Sequence, residues 1–344
     1  MKHRDRVLAA LSHEEPDRCP LQIIPTIEFA ERLGDRVLEV MFEQDMVVTA
    51  VDGMEGYFGT EQSFVDQWGV TRTRVPYTTP FGIGHYAEIT GHPLADDGAI
   101  DSYRGPDPGR DGLYDEPARL IKEYKGDYYV AAAVTCTIFE TAWALRGLEQ
   151  TLMDFIMNPD LLKRLLDIPY RYHRAVATRL AGMGVDMIWL GDDVGMQHAM
   201  MISPALWRKF LKPSMAELIA ELKSVNRSLS VAYHSDGYIE PIIPDLIEIG
   251  VDVLNPVQPA SMDPAVIKKK YGDRLCFWGT IDEQYTLPFG TVEEVKEEVL
   301  TRLATVGRGG GLIIGPTHDV QLDTPLENFW ALFDTVLNTP YSAL

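Results

Sequence analysis

The sequence has little cysteine. Three occur in 344 residues, Cys19, Cys136 and Cys276, widely spaced and odd in number. No CxxC pair is present, so neither a disulfide framework nor a CxxC metal or redox motif follows. The three thiols are expected to be small buried residues beside strands. Positive charge is scarce too: 31 Lys and Arg stand against 51 Asp and Glu, a formal net charge of −20, and the basic residues do not cluster. A phosphate backbone or an anionic membrane would be repelled by such a surface, which argues against nucleic-acid and membrane partners. No apolar run reaches membrane-spanning length. The N-terminal MKHRDRVLAALSHEEPDR is charged and amphipathic, without the apolar stretch and small-residue cleavage site of a signal peptide, so a cytoplasmic location is expected. No GxGxxG follows a first strand, and the dinucleotide fingerprint is missing.

What is there is a regular alternation. From about residue 125 onward, short apolar runs are each followed by a turn and a helix-period stretch. The runs are YYVAAAV (128–134), DMIWLG (186–191), LSVAYH (229–234), VDVLNPV (251–257), LCFWG (275–279) and GLIIG (311–315). Near-continuous apolar runs suit parallel strands buried on both faces. Asn158-Pro159, Ser203-Pro204, Asp263-Pro264 and Thr324-Pro325 place a capping side chain before a proline that can open a helix. Thr291 and Glu294 have capping-box spacing, as do Thr324 and Glu327. The N-terminal third supplies one further strand at CPLQIIP (19–25), a helix, and a stretch rich in Gly, Pro and Asp from about 53 to 117. That stretch is long for a barrel connection and is expected to fold over the mouth as a lid or substrate wall. The pattern predicts an α/β fold, a single (β/α)8 TIM-type barrel domain spanning 1–344, favoured over an open doubly wound sheet because polar residues recur at the ends of several strands.

Those strand ends are where a barrel keeps its chemistry. They carry Asp192-Asp193, His234-Ser235-Asp236-Gly237, Asn255 and Gln258, Asp282, and His318-Asp319. His234 and Asp236 are two apart and would share a strand face. With His318 they offer two imidazoles and a carboxylate, a set suited to zinc or another divalent ion with an open position; the alternative is a metal-free, hydrogen-bonded pocket. Of the acidic pair, Asp192 is expected to point into the mouth, as acid, base, support of a histidine or partner of a cationic group, and Asp193 to cap the turn. Glu140 is a second candidate catalytic acid facing the mouth. Asp282 is a third, with a loop-shaping role as the alternative. Arg146 is expected to pack or pair. Trp68, Trp143, Trp189, Met196, Met200 and Met201 either line a pocket or, more in keeping with their type, fill core.

The runs GDDVGMQHAMMISPALWRKFLKP, AYHSDGYIEPIIPDLIEIGVDVLNPVQP, DRLCFWGTIDEQYTLPFGTVEEV and GGGLIIGPTHDVQLDTPLENFWAL resemble the uroporphyrinogen decarboxylase superfamily across essentially the whole chain. The resemblance implies a (β/α)8 barrel with a deep cleft at the strand ends. Its decarboxylase branch holds carboxylated tetrapyrroles with a paired-arginine motif resembling MRQAGR and lacks a histidine at the position of His234. Here that segment reads LQIIPTIEFAERLG, and Arg32 and Arg36 lie farther along a helix. The other branch contains methyltransferases that work with corrinoid proteins on coenzyme M, chloromethane and aromatic methyl ethers. Members active on thiols bind zinc through an HxC pair and a distant cysteine. In this chain the corresponding positions are His234, Asp236 and His318, so both thiolates are replaced by other good ligands.

The resemblance therefore implies a methyltransferase or O-demethylase, with zinc at the mouth, a methoxylated small molecule as donor, and a corrinoid protein as partner. Two alternatives stand beside it: a metal-independent decarboxylase-like lyase, and a non-catalytic tetrapyrrole- or corrinoid-binding protein. The acidic surface leaves room for an apolar patch and hence for a homodimer.

Overall fold

A computed structural model describes residues 1–51 and 61–344. Its strands are β1 (Met46–Ala50), β2 (Ser63–Val65), β3 (Thr71–Thr79), β4 (Gly82–Gly91), β5 (Tyr129–Thr135), β6 (Met187–Gly191), β7 (Ser230–His234), β8 (Val253–Asn255), β9 (Cys276–Trp278) and β10 (Leu312–Ile313). Seven of them form one parallel sheet in the order β1-β5-β6-β7-β8-β9-β10. The six apolar runs from residue 128 onward all lie in it. The segment after Cys19 joins the two edges. Leu21 bridges Ile314 in parallel, the Gln22 N–H donates to Ile314 O at 3.0 Å, and Leu21 O accepts the Asp45 N–H at 2.8 Å. It thus serves as the eighth stave of a TIM-like α/β fold. This stave is bridged only at Leu21 and Pro25, not laddered throughout, because Pro20 and Pro25 have no N–H to give.

Alternation along the strands separates two cores. Met46, Tyr129, Ala131, Met187, Ala232 and Val253 face inward, where Val7 of the helix His3–Leu11 packs against them. Their neighbours Val130, Ala132, Ile188, Val231 and Leu254 face the surrounding helices. Period two thus makes 187, 189 and 191 inward positions on β6 and 232 and 234 inward positions on β7. Several helix starts follow the expected chemistry. Ser203 accepts the Leu206 N–H, Asp263 accepts those of Ala265 and Val266, and Thr291 with Glu294 closes a capping box. Asn158 and Thr324 do not cap as expected: the Asn158 amide donates to Asp154 instead, and the last helix starts at Leu326, two residues after Thr324.

The stretch expected to be loop-rich contains an antiparallel sheet, β2-β3-β4, which corrects that expectation; residues 53–60 of it lie outside the described residues. Thr79 pairs with Gly82 across a two-residue connection, the length that favours a tight hairpin. The run TRTRVPYTT is rich in β-branched and aromatic residues that suit such a strand. The hairpin tip touches segments that leave the strand ends. Tyr77 Oη donates to Gln321 at 3.3 Å, the His85 N–H donates to Glu28 at 3.3 Å, and the Arg32 guanidinium stacks 4.1 Å over Phe81.

The junction between the eighth stave and β1 is built on Asp45, which is fully buried. Its carboxylate accepts from Arg18 at 2.7 Å, from the Leu21 N–H at 2.8 Å, from Arg6, and from His3 at 2.9 Å. Burial pushes the Asp45 carboxyl up, but His3, Arg18 and Arg6 outweigh it and hold it below the ordinary carboxylate range. A group depressed in the folded state contributes its stability above its unfolded pKa of about 3.9, and that stability is lost as pH falls through the folded value. Asp45→Asn takes from buried Arg18 its carboxylate partner, while Arg6 keeps Asp17 at 2.7 Å, and is expected to cost about 3 kcal/mol in urea unfolding at pH 7. The difference between wild type and variant should shrink below a pH of about 4; an equal difference at pH 7 and pH 3 would show that the ion network is not what stabilises the junction.

Candidate active site and metal centre

The ends of β5, β6 and β7 are locked together backbone to backbone. Gly191 pairs with His234 in the parallel ladder, with φ +152°, and a Cβ there would fall 2.2 Å from His234 O. Only glycine fits so close an approach. The Asp192 N–H then donates to His234 O at 3.1 Å, and the Thr137 N–H to Gly191 O at 2.9 Å. One turn later Gly195 and Gly237 meet the same way: a Cβ on Gly195 would lie 2.4 Å from Asp236 O.

This lock orients the acidic pair. Asp192 is 1% exposed and turned under the mouth, accepting the Ile138 N–H at 3.0 Å and the Glu140 N–H at 2.9 Å, so it caps the helix Phe139–Arg146. Asp193 faces inward: its Oδ1 accepts the Asp236 N–H at 2.8 Å and lies 3.5 Å from His234 Nε2. The expected orientation, Asp192 inward and Asp193 capping, is therefore reversed. The period-two series Met187, Trp189, Gly191, Asp193 continues past the end of the strand and carries the signal.

His234 Nδ1 is 2.7 Å from Asn255 Oδ1, and Asn255 Nδ2 donates to Trp278 O at 3.0 Å. With its amide nitrogen committed to a carbonyl, Asn255 can only accept from the imidazole, which puts the proton on Nδ1 and leaves the Nε2 lone pair free. His234, Asp236 and His318 each present a ligand atom within 4.8 Å of the others. Asp236 Oδ1 is buried with no hydrogen-bond partner among the described residues. An orphaned carboxylate oxygen between two imidazoles fits a divalent cation, and the N₂O donor set suits zinc. His318 Nδ1 accepts the Asp319 N–H at 2.8 Å, so ligation requires that bond or the Nε2 proton to be given up.

A cavity of about 610 Å³ opens beside this cluster. Glu140, Asp193, His234, His318 and Asp319 line one part of it, and Ile23, Met46, Val48 and Trp189 another. Burial and the neighbouring Asp193 and Asp192 push the Glu140 carboxyl up to about 8. Burial raises Asp192 to about 7 against the pull of its backbone donors. Burial also raises Glu283 to about 8, opposed by His318 and reinforced by Asp319 and Asp236. Burial would lower His318, but Asp319, Asp236, Glu283 and Asp193 reverse that and raise it.

Residues 2–338 match the family described as uroporphyrinogen decarboxylase (URO-D). The chain belongs to the URO-D family. It is 30% identical over 177 residues to a methylcobamide:CoM methyltransferase, MtaA, of Methanosarcina barkeri, covering 52% of this chain and 49% of that one. It is 35% identical over 198 residues to a uroporphyrinogen decarboxylase of Psychromonas ingrahamii, covering 54% and 51%. The chain thus spans about half the length of the curated relatives it matches. A methyltransferase from Methanosarcina mazei shares the fold over 97% of this chain and 98% of its own, with a TM-score of 0.65 and 21% identity.

Within this URO-D fold, the sequence-derived residues fall into two groups. His234, Asp236, His318 and Glu140 meet at the mouth. Asp282 does not: it accepts its own turn's Gln284 N–H at 2.8 Å and faces a separate concavity with Tyr285 and Glu297. Its neighbour Glu283 lies in the field of His318 instead. Gly279, at φ +79°, breaks the strand alternation before this point, so no sequence period identifies Glu283. Cys136 is likewise a correction. Cys19 and Cys276 are buried, whereas Cys136 lines the cavity at φ +55°. Of the aromatic and Met positions, Trp189 lines the cavity; Trp68 lies in the core, Trp143, Met200 and Met201 pack against it, and Met196 is exposed. Arg146 pairs with Asp154 at 3.0 Å and Asp97, as expected. Arg32 and Arg36 are spent on the Leu322 and Thr324 carbonyls and on the Trp330 ring and do not line the cavity.

A carboxyl raised in the folded state stabilises most below its unfolded pKa, and that stability is lost as pH rises to the folded value. Glu140→Gln is therefore expected to flatten the fall in melting temperature between pH about 4.3 and about 8. At pH 8 the variant should melt above wild type; parallel profiles would show that Glu140 is not held protonated.

Proposed function

We propose that this protein moves a methyl group between a small methylated molecule and the cobalt of a corrinoid carried by a partner protein, using a divalent ion, zinc by preference, held by His234, Asp236 and His318. The observation that carries the metal is Asp236 Oδ1, buried without a hydrogen-bond partner among the described residues, in a group whose carboxylate lies within 4.8 Å of a nitrogen of each of two imidazoles. A bare carboxylate oxygen in that position is costly unless a cation offsets it. The relative named methylcobamide:CoM methyltransferase supports methyl transfer and the corrinoid partner.

When bound, the ion supplies Lewis acidity toward a heteroatom of the methylated molecule. The chain's own residues do the rest. Asn255 holds the His234 ring in the tautomer that presents Nε2 to the mouth. Asp193 accepts the Asp236 N–H and so fixes the backbone of Asp236 beside that ring. Asp192 fixes the start of the helix that carries Glu140. Glu140, carrying a proton near neutrality, is placed to donate it to a departing alkoxide or phenolate. An N₂O ligand set is harder than one with thiolates, which favours a methoxylated donor over a thiol acceptor. In this reading the described part of the expected wall, residues 61–117 with the β3–β4 hairpin, lies over the mouth of one barrel domain spanning 1–344.

The decarboxylase reading fares worse on charge. The cavity has no Lys or Arg among its described lining residues, so an anionic polycarboxylate would meet Glu140, Asp193 and Asp319 without a counter-charge.

Protein purified without chelator is expected to hold about one equivalent of zinc or a similar ion by metal analysis. His234→Ala and His318→Ala should each lose it while keeping the far-ultraviolet circular dichroism of wild type. Loaded wild type should transfer methyl from a methoxylated aromatic compound to reduced cobalamin, and both variants should fail. A wild type that neither retains metal nor melts higher on adding zinc would remove the metal from the proposal.

A further inference from the structure

Two amides on the inner wall of the cavity are oriented by the groups that hold their oxygens. Gln22, on the eighth stave, follows the outward-packed Leu21 and reaches into the barrel. There its Oε1 accepts the indole N–H of Trp278, an inner-core residue, at 3.0 Å. Gln44 has the parity of Met46, which also lies in the inner core, and its Oε1 accepts the Ile23 N–H at 3.1 Å. An indole N–H and a backbone N–H can only donate, so the atom each faces is the amide oxygen and the NH₂ takes the other branch. Both glutamines line the cavity of about 610 Å³, and Trp278 does not. Neither Nε2 has an acceptor among the described residues.

The two amides are neighbours, because the N–H that holds Gln44 belongs to the residue after Gln22. Gln22 is 6% exposed, and a donor so nearly buried is stabilised by an acceptor on whatever fills the space it faces. Trp189, inward on β6, lines the same cavity, and its Nε1 is buried with no hydrogen-bond partner among the described residues. Gln22, Trp189, His234 and His318 also bound a narrower recess, which sets this donor wall across from the imidazoles. Amide and indole N–H groups satisfy an oxygen without neutralising a charge, and Asp193 and Asp319 on the same cavity repel an anion.

We infer that the small methylated molecule taken by this cavity carries an uncharged acceptor, a carbonyl or carboxamide oxygen, that seats on the Nε2 groups of Gln22 and Gln44. This deepens, and rests on, the reading that the cavity beside His234 binds the methylated molecule. The amides hold that molecule by its oxygen while its methyl-bearing heteroatom faces His234 and His318.

Calorimetric titration of the full-length protein, with zinc added, tests this with the positional isomers of methoxyacetophenone, the matching isopropylanisoles and the methoxybenzoates. An isopropyl group has the shape of an acetyl group without its oxygen. At least one acetyl isomer is expected to bind about tenfold tighter than its isopropyl counterpart, and tighter than its carboxylate counterpart. Gln22→Glu keeps an acceptor for the Trp278 indole, and Gln44→Glu keeps one for the Ile23 N–H, while each removes the amide donors. Each should weaken that acetyl isomer severalfold and leave the isopropyl compound unchanged; Gln22→Met and Gln44→Met, which add no charge, should do the same. Equal affinity within every acetyl and isopropyl pair overturns the inference, as does tightest binding by a methoxybenzoate. An acetyl preference that survives in all of these variants also overturns it. Equal methyl transfer to cobalamin from the acetyl and isopropyl ethers would remove this inference and leave the methyltransferase reading. Glutamine-dependent binding of the acetyl compound without any methyl transfer would do the reverse.

Discussion

The register that sets Gly191 against His234 is the constraint on which the mouth of this barrel depends. A side chain at residue 191 would collide with the His234 carbonyl, so β6 and β7 can end flush only with glycine there. Once they do, strand alternation decides the next residues. Asp193 inherits the inward parity of Met187 and Trp189 and meets His234 and Asp236, while Asp192 is driven beneath, onto the N–H groups that open the helix of Glu140. His234, Asp236, Asp193 and the helix of Glu140 are placed by one backbone contact, and His318 joins them from the turn after β10.

Electrostatics then sets the character of the site. Seven ionisable groups, Glu140, Asp192, Asp193, His234, Asp236, His318 and Asp319, crowd one end of the barrel with no guanidinium or ammonium of the protein among the cavity's described lining residues. Desolvation and mutual repulsion keep Glu140 and Asp192 protonated to higher pH than free carboxyls. The opposite end of the barrel resolves the same problem differently. There Asp45 is just as buried, but Arg6 and Arg18 neutralise it and the outcome is an ionised, structural carboxylate. The same residue type serves cohesion at one end and leaves unmet charge at the other. The unmet charge at Asp236 is what a divalent ion held with His234 and His318 would satisfy.

Much of this architecture is legible in the amino-acid sequence. Six strands stand out because runs such as LSVAYH and LCFWG are apolar on both faces, and parallel strands buried on both sides require that. β1 does not stand out: MVVTA is short and passes directly into the stretch that reads as lid. The antiparallel hairpin is hidden as well, because half-exposed Thr and Arg alternation in TRTRVPYTT resembles loop when only apolar periodicity is sought. At the site, His234, Asp236 and His318 come together as expected, since each follows a strand whose parity is clear or whose position matches the family pattern. The departures are of a single residue. Carrying the period of two through Gly191 selects Asp193 over Asp192. No such rule selects Glu283 over Asp282, because Gly279 ends the alternation and the turn alone sets which carboxylate faces His318. Cys136 departs from the expected burial of a lone cysteine because a left-handed backbone at the end of β5 turns it into the cavity.

The central claim is that the orphaned oxygen of Asp236 completes a metal site with two imidazoles and no sulfur. X-ray absorption of the zinc-loaded protein tests it most directly. The account predicts a first shell of nitrogen and oxygen at about 2.0–2.2 Å with the multiple-scattering signature of two imidazoles, lost in part in His318→Ala and again in His234→Ala. A sulfur shell at about 2.3 Å, which would bring Cys136 into the coordination, or a shell without imidazole, would contradict it.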